Sequence, residues 1–310
     1  MNENNFKVSE EDNKKRLDKF LSEKLPQYSR SHLQKLIEDG FVLVGGVKKD
    51  KSYKLQQDNK VSVLLREPEE VSLEPDEKVK FEVVYEDKDL AVINKPAGLV
   101  VHPSDTHKKG TLVNGLLAKW PKIKSVGEDP LRPGIVHRLD KETSGLMVVA
   151  KNNETFFWLK EQFKERKVTK KYIALIFGKL TKEEGEINAP IGRVGMKQVT
   201  LKRGRGQKKV TKTREAVTKY KVLEEFGDCS LVEALPKTGR MHQIRVHFAH
   251  IGHPVVGDKK YAPGKLLEKI PSKRHFLHAK ELVFTALNGK KLEFKADIPE
   301  DLDIIIRGLK

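Results

Sequence analysis

Apolar residues recur along this chain with two different periods. Leu17, Phe20, Leu21 and Leu25 are three and four apart, which predicts one face of a helix that stops before Pro26. A second helix is expected from the SRS run, with Ser31 and Gln34 at capping-box spacing. Leu33, Leu36 and Ile37 form its buried face, and Gly40 marks its end. FVLVGGV then reads as a strand entering a glycine turn, and KVSVLL as a later strand. Further on, GLMVVAK is an apolar strand, and KKYIALIFGKL alternates, with Tyr172, Ala174 and Ile176 on one face and Ile173, Leu175 and Phe177 on the other. Met241, Ile244, Phe248 and Ile251 return to helical spacing, with Gly252 placed as a C-terminal cap and Pro254 blocking continuation.

One stretch breaks the pattern. REPEEVSLEPDE, residues 66 to 77, holds six acidic residues and two prolines. Such a segment has little to bury and resists helix at each proline, so it is expected to be a linker. The chain then reads as a flexible tail (1–12), a small module of two helices on a curled sheet (13–66), the acidic linker (67–79) and a larger module (80–310). The length of 310 residues agrees with two domains at roughly 150 residues each.

Charge narrows the partners. Lys plus Arg number 61 against 44 Asp plus Glu, a formal net charge of +17, which suits a polyanion such as nucleic acid and also suits a surface kept soluble by lysine. The densest cationic stretch, RVGMKQVTLKRGRGQKKVTKTR (193–214), has nine Lys or Arg, no acid and three glycines, and is read as a pliable loop for a phosphate backbone. In the small module, Arg16, Arg30, His32 and Lys35 are expected to lie near one another, partly exposed. The single cysteine, Cys229, excludes an intramolecular disulfide and a zinc site built on several thiolates. No run approaches about 18 apolar residues and the first twenty are polar, so a cytoplasmic protein without a membrane span is expected.

The candidate chemistry lies in the larger module. PGIVHRLDKETSGLMVVAK places a loop rich in ionisable groups between Gly134 and Gly145, at the mouth of an apolar strand. Asp140, between Arg138 and Lys141, should stay ionised, and serves as nucleophile, base or partner in a structural ion pair. Tyr172 at its strand's start is either a core tyrosine or a ring for stacking on a base. In LPKTGRMHQIRVHFAHIGHP, His242 and Arg245 are three apart on one helix, and Arg245 can offer a planar fork to a carboxylate in an adjoining cleft. His242, His247, His250 and His253 invite a metal reading, but the spacing of an H-E-x-x-H site is missing and no metal is expected.

Taken together, NKPAGLVVHP (94–103), HRLDKETSGL (137–146), KKY (170–172) and TGRMHQIRVH (238–247) closely resemble the RluA-type family of RNA pseudouridine synthases, in that family's order, from about Val83 to about Leu282. RLDKFL, SRSHLQKLIEDG and FVLVGG resemble the small RNA-binding domain named after ribosomal protein S-four, and the joint layout is similar to members that modify large-subunit ribosomal RNA. The resemblance implies an α+β fold: a mixed, mainly antiparallel sheet in two halves with a catalytic cleft between them, preceded by a small αα-β RNA-binding domain. It implies that Asp140 acts on the target uridine to break the base–sugar bond, that Arg245 pairs with Asp140, that Tyr172 stacks on uracil, and that Arg138 fills the gap left by a flipped nucleotide. It places Lys95, His137, Arg240 and His242 in motifs lining the cleft, and Arg30, Ser31 and Lys35 nearest the RNA in the small domain. Two departures stand out: Val44, Gly45 and Gly46 replace the usual Val-Asn-Gly, and Thr285 and Ala286 replace a usual His-Pro pair.

The implied chemistry suits these residue types. Uridine and pseudouridine are isomers, attached to the sugar through nitrogen or through the fifth carbon of the same base, so neither a redox cofactor nor a metal is required. Charge developing on the sugar favours a carboxylate, and the nucleotide must leave the RNA stack to be reached. The expected partner is RNA, with the protein itself a monomer. The competing readings are an RNA-binding ribosome assembly factor with an inactive cleft, and a metal-dependent nuclease using the histidines.

Overall fold

The computed structural model describes residues 2–28, 30–65, 73–104, 107–195, 197–200 and 211–310. It divides into two compact units, Met1–Glu70 and Val71–Lys310.

The first unit contains β1 (Asn2–Lys7), α1 (Leu17–Lys24), α2 (Arg30–Glu38), β2 (Val42–Val44), β3 (Val47–Lys48) and β4 (Lys60–Leu65). The strands form an antiparallel sheet in the order β1-β4-β2-β3. Leu17, Phe20, Leu21, Leu33, Leu36 and Ile37 from the helices meet Val42, Val44, Val61 and Val63 in one core. Gly45 and Gly46, with φ of 59° and 78°, make the tight hairpin between β2 and β3. Both positions are left-handed, so Gly-Gly supplies the backbone that Asn-Gly supplies elsewhere.

Two expectations change here. The sequence predicts a flexible tail over residues 1–12, whereas Asn2–Lys7 pair along the length of β4, Val8 is buried, and Phe6 meets Phe20 edge-to-face. β1 is an edge strand in which Glu3, Asn5 and Lys7 are exposed, and only Phe6 and the following Val8 carry a hydrophobic signal. Gln34 does not complete a capping box either: its amide donates to the buried Asp18 at 2.8 Å, and Ser31 lies inside the helix rather than before it.

The second unit runs β5 (Glu82–Glu86), β6 (Leu90–Lys95), α3 (Leu112–Lys119), β7 (Ser144–Ala150), α4 (Asn153–Lys164), β8 (Thr169–Phe177) and β9 (Glu184–Asn188). It continues with β10 (Ile191–Val194), β11 (Lys197–Thr200), β12 (Thr211–Arg214), β13 (Val217–Phe226), β14 (Cys229–Pro236), α5 (Gln243–His250), α6 (Gly264–Leu267), β15 (Leu277–Thr285), β16 (Lys291–Lys295) and α7 (Glu300–Leu309). Nine strands form one sheet in the order β5-β6-β7-β15-β8-β14-β13-β9, with β16 paired to β15. Every pairing is antiparallel except β7 with β15, which is parallel and joins the two halves. β7 is buried at all seven positions, as its unbroken apolar run requires. At its first turn Gly145 adopts φ 119°, and a Cβ there would lie 2.3 Å from the Ala279 carbonyl oxygen on β15. Only glycine lets the two strands approach this closely where the Asp140 loop enters the sheet.

The acidic segment falls partly outside the described residues. Its remainder from Leu73 onward is attached to the second unit: Leu73 packs on the core, Asn114 on α3 donates to the Glu74 carbonyl, and Asp76 N–H donates to the Asn114 carbonyl. The basic stretch 193–214 is likewise not one loop. Its described ends belong to a three-stranded sheet ordered β11-β10-β12, while Met196 and residues 201–210 lie outside the described residues. Cys229 is buried in β14, where burial pushes its thiol up to about 11.

Candidate active site

The loop carrying Asp140 is an excursion pinned at both ends to β7. Gly134 accepts at its carbonyl from Ala150 N–H, Ile135 bridges Val149, and Val148 N–H donates to His137 Nε2 at 3.0 Å. Just past Asp140, Thr143 N–H donates back to the Asp140 carbonyl, closing a turn. Beneath it, Lys95 at the end of β6 sends its ammonium to the carbonyls of Pro96, Leu99 and Lys141 at 2.8, 2.9 and 3.1 Å. Lys95 is 0% exposed, so it supports the loop from below and does not line the cleft as the sequence suggested. His137 does line the cleft: its ring stacks on Phe163, its Nε2 is occupied as an acceptor, and burial lowers its pKa to about 3.

Burial brings the Lys95 ammonium down to about 7. Since the unfolded chain keeps an ordinary lysine, it binds more protons than the folded chain between about pH 7 and 10.5, and folding stability gains with pH in that window by up to about 1.4 kcal/mol per pH unit. Lys95→Met lacks this contribution and leaves three carbonyls without their donor. The stability gap between wild type and Lys95→Met, from urea unfolding, is expected to widen from pH 7 to pH 9. A gap independent of pH would contradict the assignment.

Across the cleft, α5 presents Arg245. Its first turn is set by the buried Gln243, which accepts from Arg240 N–H and Thr238 and donates to the Val217 carbonyl and Thr218. His242, immediately before the helix, adopts a left-handed backbone with φ 57°. The helix therefore starts later than the apolar spacing suggested, and Met241 and Ile251 lie exposed at its ends while Ile244 and Phe248 are buried.

Arg245 Nη1 donates to Asp140 Oδ2 at 2.9 Å, and its Nε and Nη2 donate to Asp258 Oδ2 and Oδ1 at 2.7 and 2.8 Å. Asp258 is fully buried, and no motif in the sequence marks it. Burial alone pushes its carboxyl up, but the hydrogen bonds and charge of Arg245 and the Lys260 amide outweigh this and hold it below the usual range. Burial also works against the Arg245 charge, and the two carboxylates more than restore it. Nothing in the residue spacing links Asp258 to Arg245. The signal available was an acid in an otherwise apolar turn, HPVVGD, where a buried charge needs a partner.

His242 Nε2 stands 3.9 Å from Asp140 Oδ2, and its Nδ1 is 2.7 Å from the Tyr261 hydroxyl. Burial lowers it to about 4, so the ring is neutral near pH 7. Tyr172, in β8 between Ala279 of β15 and Ala234 of β14, is 9% exposed, and burial together with the Asp140 charge holds its phenol protonated. Arg138 is exposed and lies 3.5 Å from His102 Nε2. Arg240 gives its Nε to the Glu215 carbonyl. His137, Arg138, Asp140, Tyr172, Arg240, His242 and Arg245 together line one pocket of about 560 Å³. The remaining histidines of the 242–253 run are directed apart, His247 to Thr218 and the Ala189 carbonyl, His250 to Thr200 and His253 to the Phe177 carbonyl.

In the first unit, Arg16 and Arg30 converge on Asp18, with Arg30 Nη2 at 2.7 Å from Asp18 Oδ2. Burial works against Asp18, but the bonds from Arg16, Arg30 and Gln34 prevail and hold it well below the usual carboxylate range. The Arg30 side chain stays half exposed, and Lys35 is exposed on the same helix. The Ser31 side chain lies outside the described residues.

Residues 89–250 match the RNA pseudouridylate synthase family model, and residues 15–61 match the S4 domain model. The chain is 41% identical to the RNA pseudouridine synthase YlyB of Bacillus subtilis over 100% of this chain and 99% of that one. The chain belongs to the RNA pseudouridine synthase family. It is also 39% identical to ribosomal large subunit pseudouridine synthase D of Salmonella typhimurium, covering 98% of this chain and 93% of that one. Among solved structures it is similar to human RNA pseudouridylate synthase domain containing 1, with 28% identity, a TM-score of 0.56, and coverage of 79% of this chain and 97% of that one. The protein is thus an RNA-modifying isomerase with an S4 domain in front of its catalytic domain. Among the described residues, no helix is long and apolar enough to cross a membrane.

Proposed function

We propose that this synthase converts specific uridines of large-subunit ribosomal RNA to pseudouridine, acting as a cytoplasmic monomer. The reading is carried by Asp140 paired with Arg245 at 2.9 Å in a pocket that also holds Tyr172. The substrate follows from the full-length likeness to proteins named ribosomal large subunit pseudouridine synthase D.

In this reading Asp140 is the reacting carboxylate. The bond between the sugar and N1 of uracil breaks with its electron pair going to the base, the base turns within the pocket, and its fifth carbon joins the sugar. The hydrogen on that carbon then leaves as a proton to restore the ring while N1 takes up a proton, so formula is conserved. Tyr172 supplies a flat wall for the detached base, and its burial keeps water from competing for the sugar. Extruding the uridine from stacked RNA costs a few kcal/mol, which stacking on Tyr172 and insertion of Arg138 offset. Arg240, which lines the same pocket, is assigned to RNA contact. Arg30 and Lys35 carry the S4 contribution through phosphate contacts, which supply affinity without choosing the base.

Pseudouridine mapping of ribosomal RNA tests this reading. A strain lacking the protein is expected to lose one or more pseudouridines from large-subunit RNA only, and to regain them with wild type but not with Asp140→Asn. An unchanged map, or losses confined to other RNAs, would overturn it.

A further inference from the structure

The matched family span ends at residue 250, and Asp258 lies beyond it. The turn that carries Asp258 is stitched to the sheet by backbone bonds on both sides: Val256 N–H donates to the Leu175 carbonyl on β8, and Phe276 N–H to the Val256 carbonyl. Asp258 itself accepts from the amides of Lys260 and Tyr261 at 3.0 and 3.2 Å, so its carboxylate is fixed before it meets Arg245.

A guanidinium has a two-donor edge that fits a carboxylate fork to fork and covers both its oxygens. Here that edge, Nε and Nη2, is taken by Asp258, and Asp140 receives Nη1 alone, on Oδ2. The same Oδ2 is the oxygen nearest His242. One cation is thereby shared between two carboxylates, and the trio keeps a net charge of −1. An Asp140 held by the full fork would have both oxygens occupied and its charge cancelled, which suits a structural ion pair better than a reacting group. We propose that Asp258 is a positioning residue that confines Arg245 to a one-point contact with Asp140, leaving the second carboxylate oxygen of Asp140 for the uridine. This rests on the reading of Asp140 as the reacting carboxylate.

The test is a double-mutant cycle on the full-length enzyme, read as tritium release from ribosomal RNA labelled at the fifth carbon of uridine. Asp258→Asn is expected to lower kcat by about 10- to 100-fold, because Arg245 can then turn its fork to Asp140, while KM for RNA stays within about twofold. In an Arg245→Lys background, where no fork exists to redirect, the same Asp258→Asn change should cost less than about threefold. Equal losses in both backgrounds, a loss confined to KM, or an unchanged kcat would overturn the proposal. Asp258→Glu retains the buried charge but displaces it by one methylene, and its kcat is expected to fall as well with a melting temperature near wild type. A Glu variant with full activity also counts against a positioning role. If wild type itself releases no tritium, the reading of the reaction fails, a result separate from an active wild type whose Asp258 variants behave alike.

Discussion

Asp140→Asn is expected to fold, to bind RNA about as tightly as wild type, and to release no measurable tritium. The change keeps the shape of the side chain and the acceptor for Arg245 Nη1, and Arg245 keeps its two bonds to Asp258. What is lost is the only carboxylate among the residues lining the pocket. Removal of a reacting group held this way lowers kcat by about four orders of magnitude or more. In the proposed reading RNA affinity rests on phosphate contacts elsewhere and has no reason to follow. Filter binding and tritium release on the same preparations separate the two. Residual activity within about tenfold of wild type would remove Asp140 from the chemistry.

Arg245→Met should be inactive and, unlike Asp140→Asn, strongly destabilised. Arg245 is buried and is the counter-ion of Asp258, which is itself completely buried. Taking away one partner of such a pair leaves an uncompensated charge, at a cost of about 3–5 kcal/mol. The prediction has an internal control. Arg245→Met combined with Asp258→Asn removes the stranded charge, so urea unfolding should show most of the lost stability recovered while tritium release stays absent. If the double variant is as unstable as the single one, the destabilisation comes from lost packing rather than from Asp258.

How much of this was legible in the sequence depends on the range of the interaction. The helices of the first unit were readable because Leu17, Phe20, Leu21, Leu33, Leu36 and Ile37 all pack on one side, and burial follows local spacing. The strand at Asn2–Lys7 was hidden because an edge strand needs little apolar content, only a neighbour whose backbone it can complete. In the site, the resemblance pointed to Asp140, Tyr172 and Arg245, and the fold places all three on one pocket. Residue type alone does not reveal which way a side chain faces. Lys95 and His137 both belong to motifs beside the cleft, yet Lys95 spends its ammonium on the backbone beneath the Asp140 loop, while His137 lines the pocket with its Nε2 tied to the Val148 amide. Asp258 shows the reverse: it is 118 residues from Asp140 in sequence, and only the return of the chain after α5 makes it a partner of the same arginine. Contacts across a sheet that joins distant strands leave no periodic trace.

The most direct test is tritium release by the purified protein from a large-subunit ribosomal RNA transcript labelled at the fifth carbon of uridine. That hydrogen leaves only when the carbon has taken the sugar. We expect tritium in water and pseudouridine in the RNA to appear in equal amounts, with no added metal or cofactor, and to cease in Asp140→Asn. Tritium release without pseudouridine, or release that persists in Asp140→Asn, would contradict it.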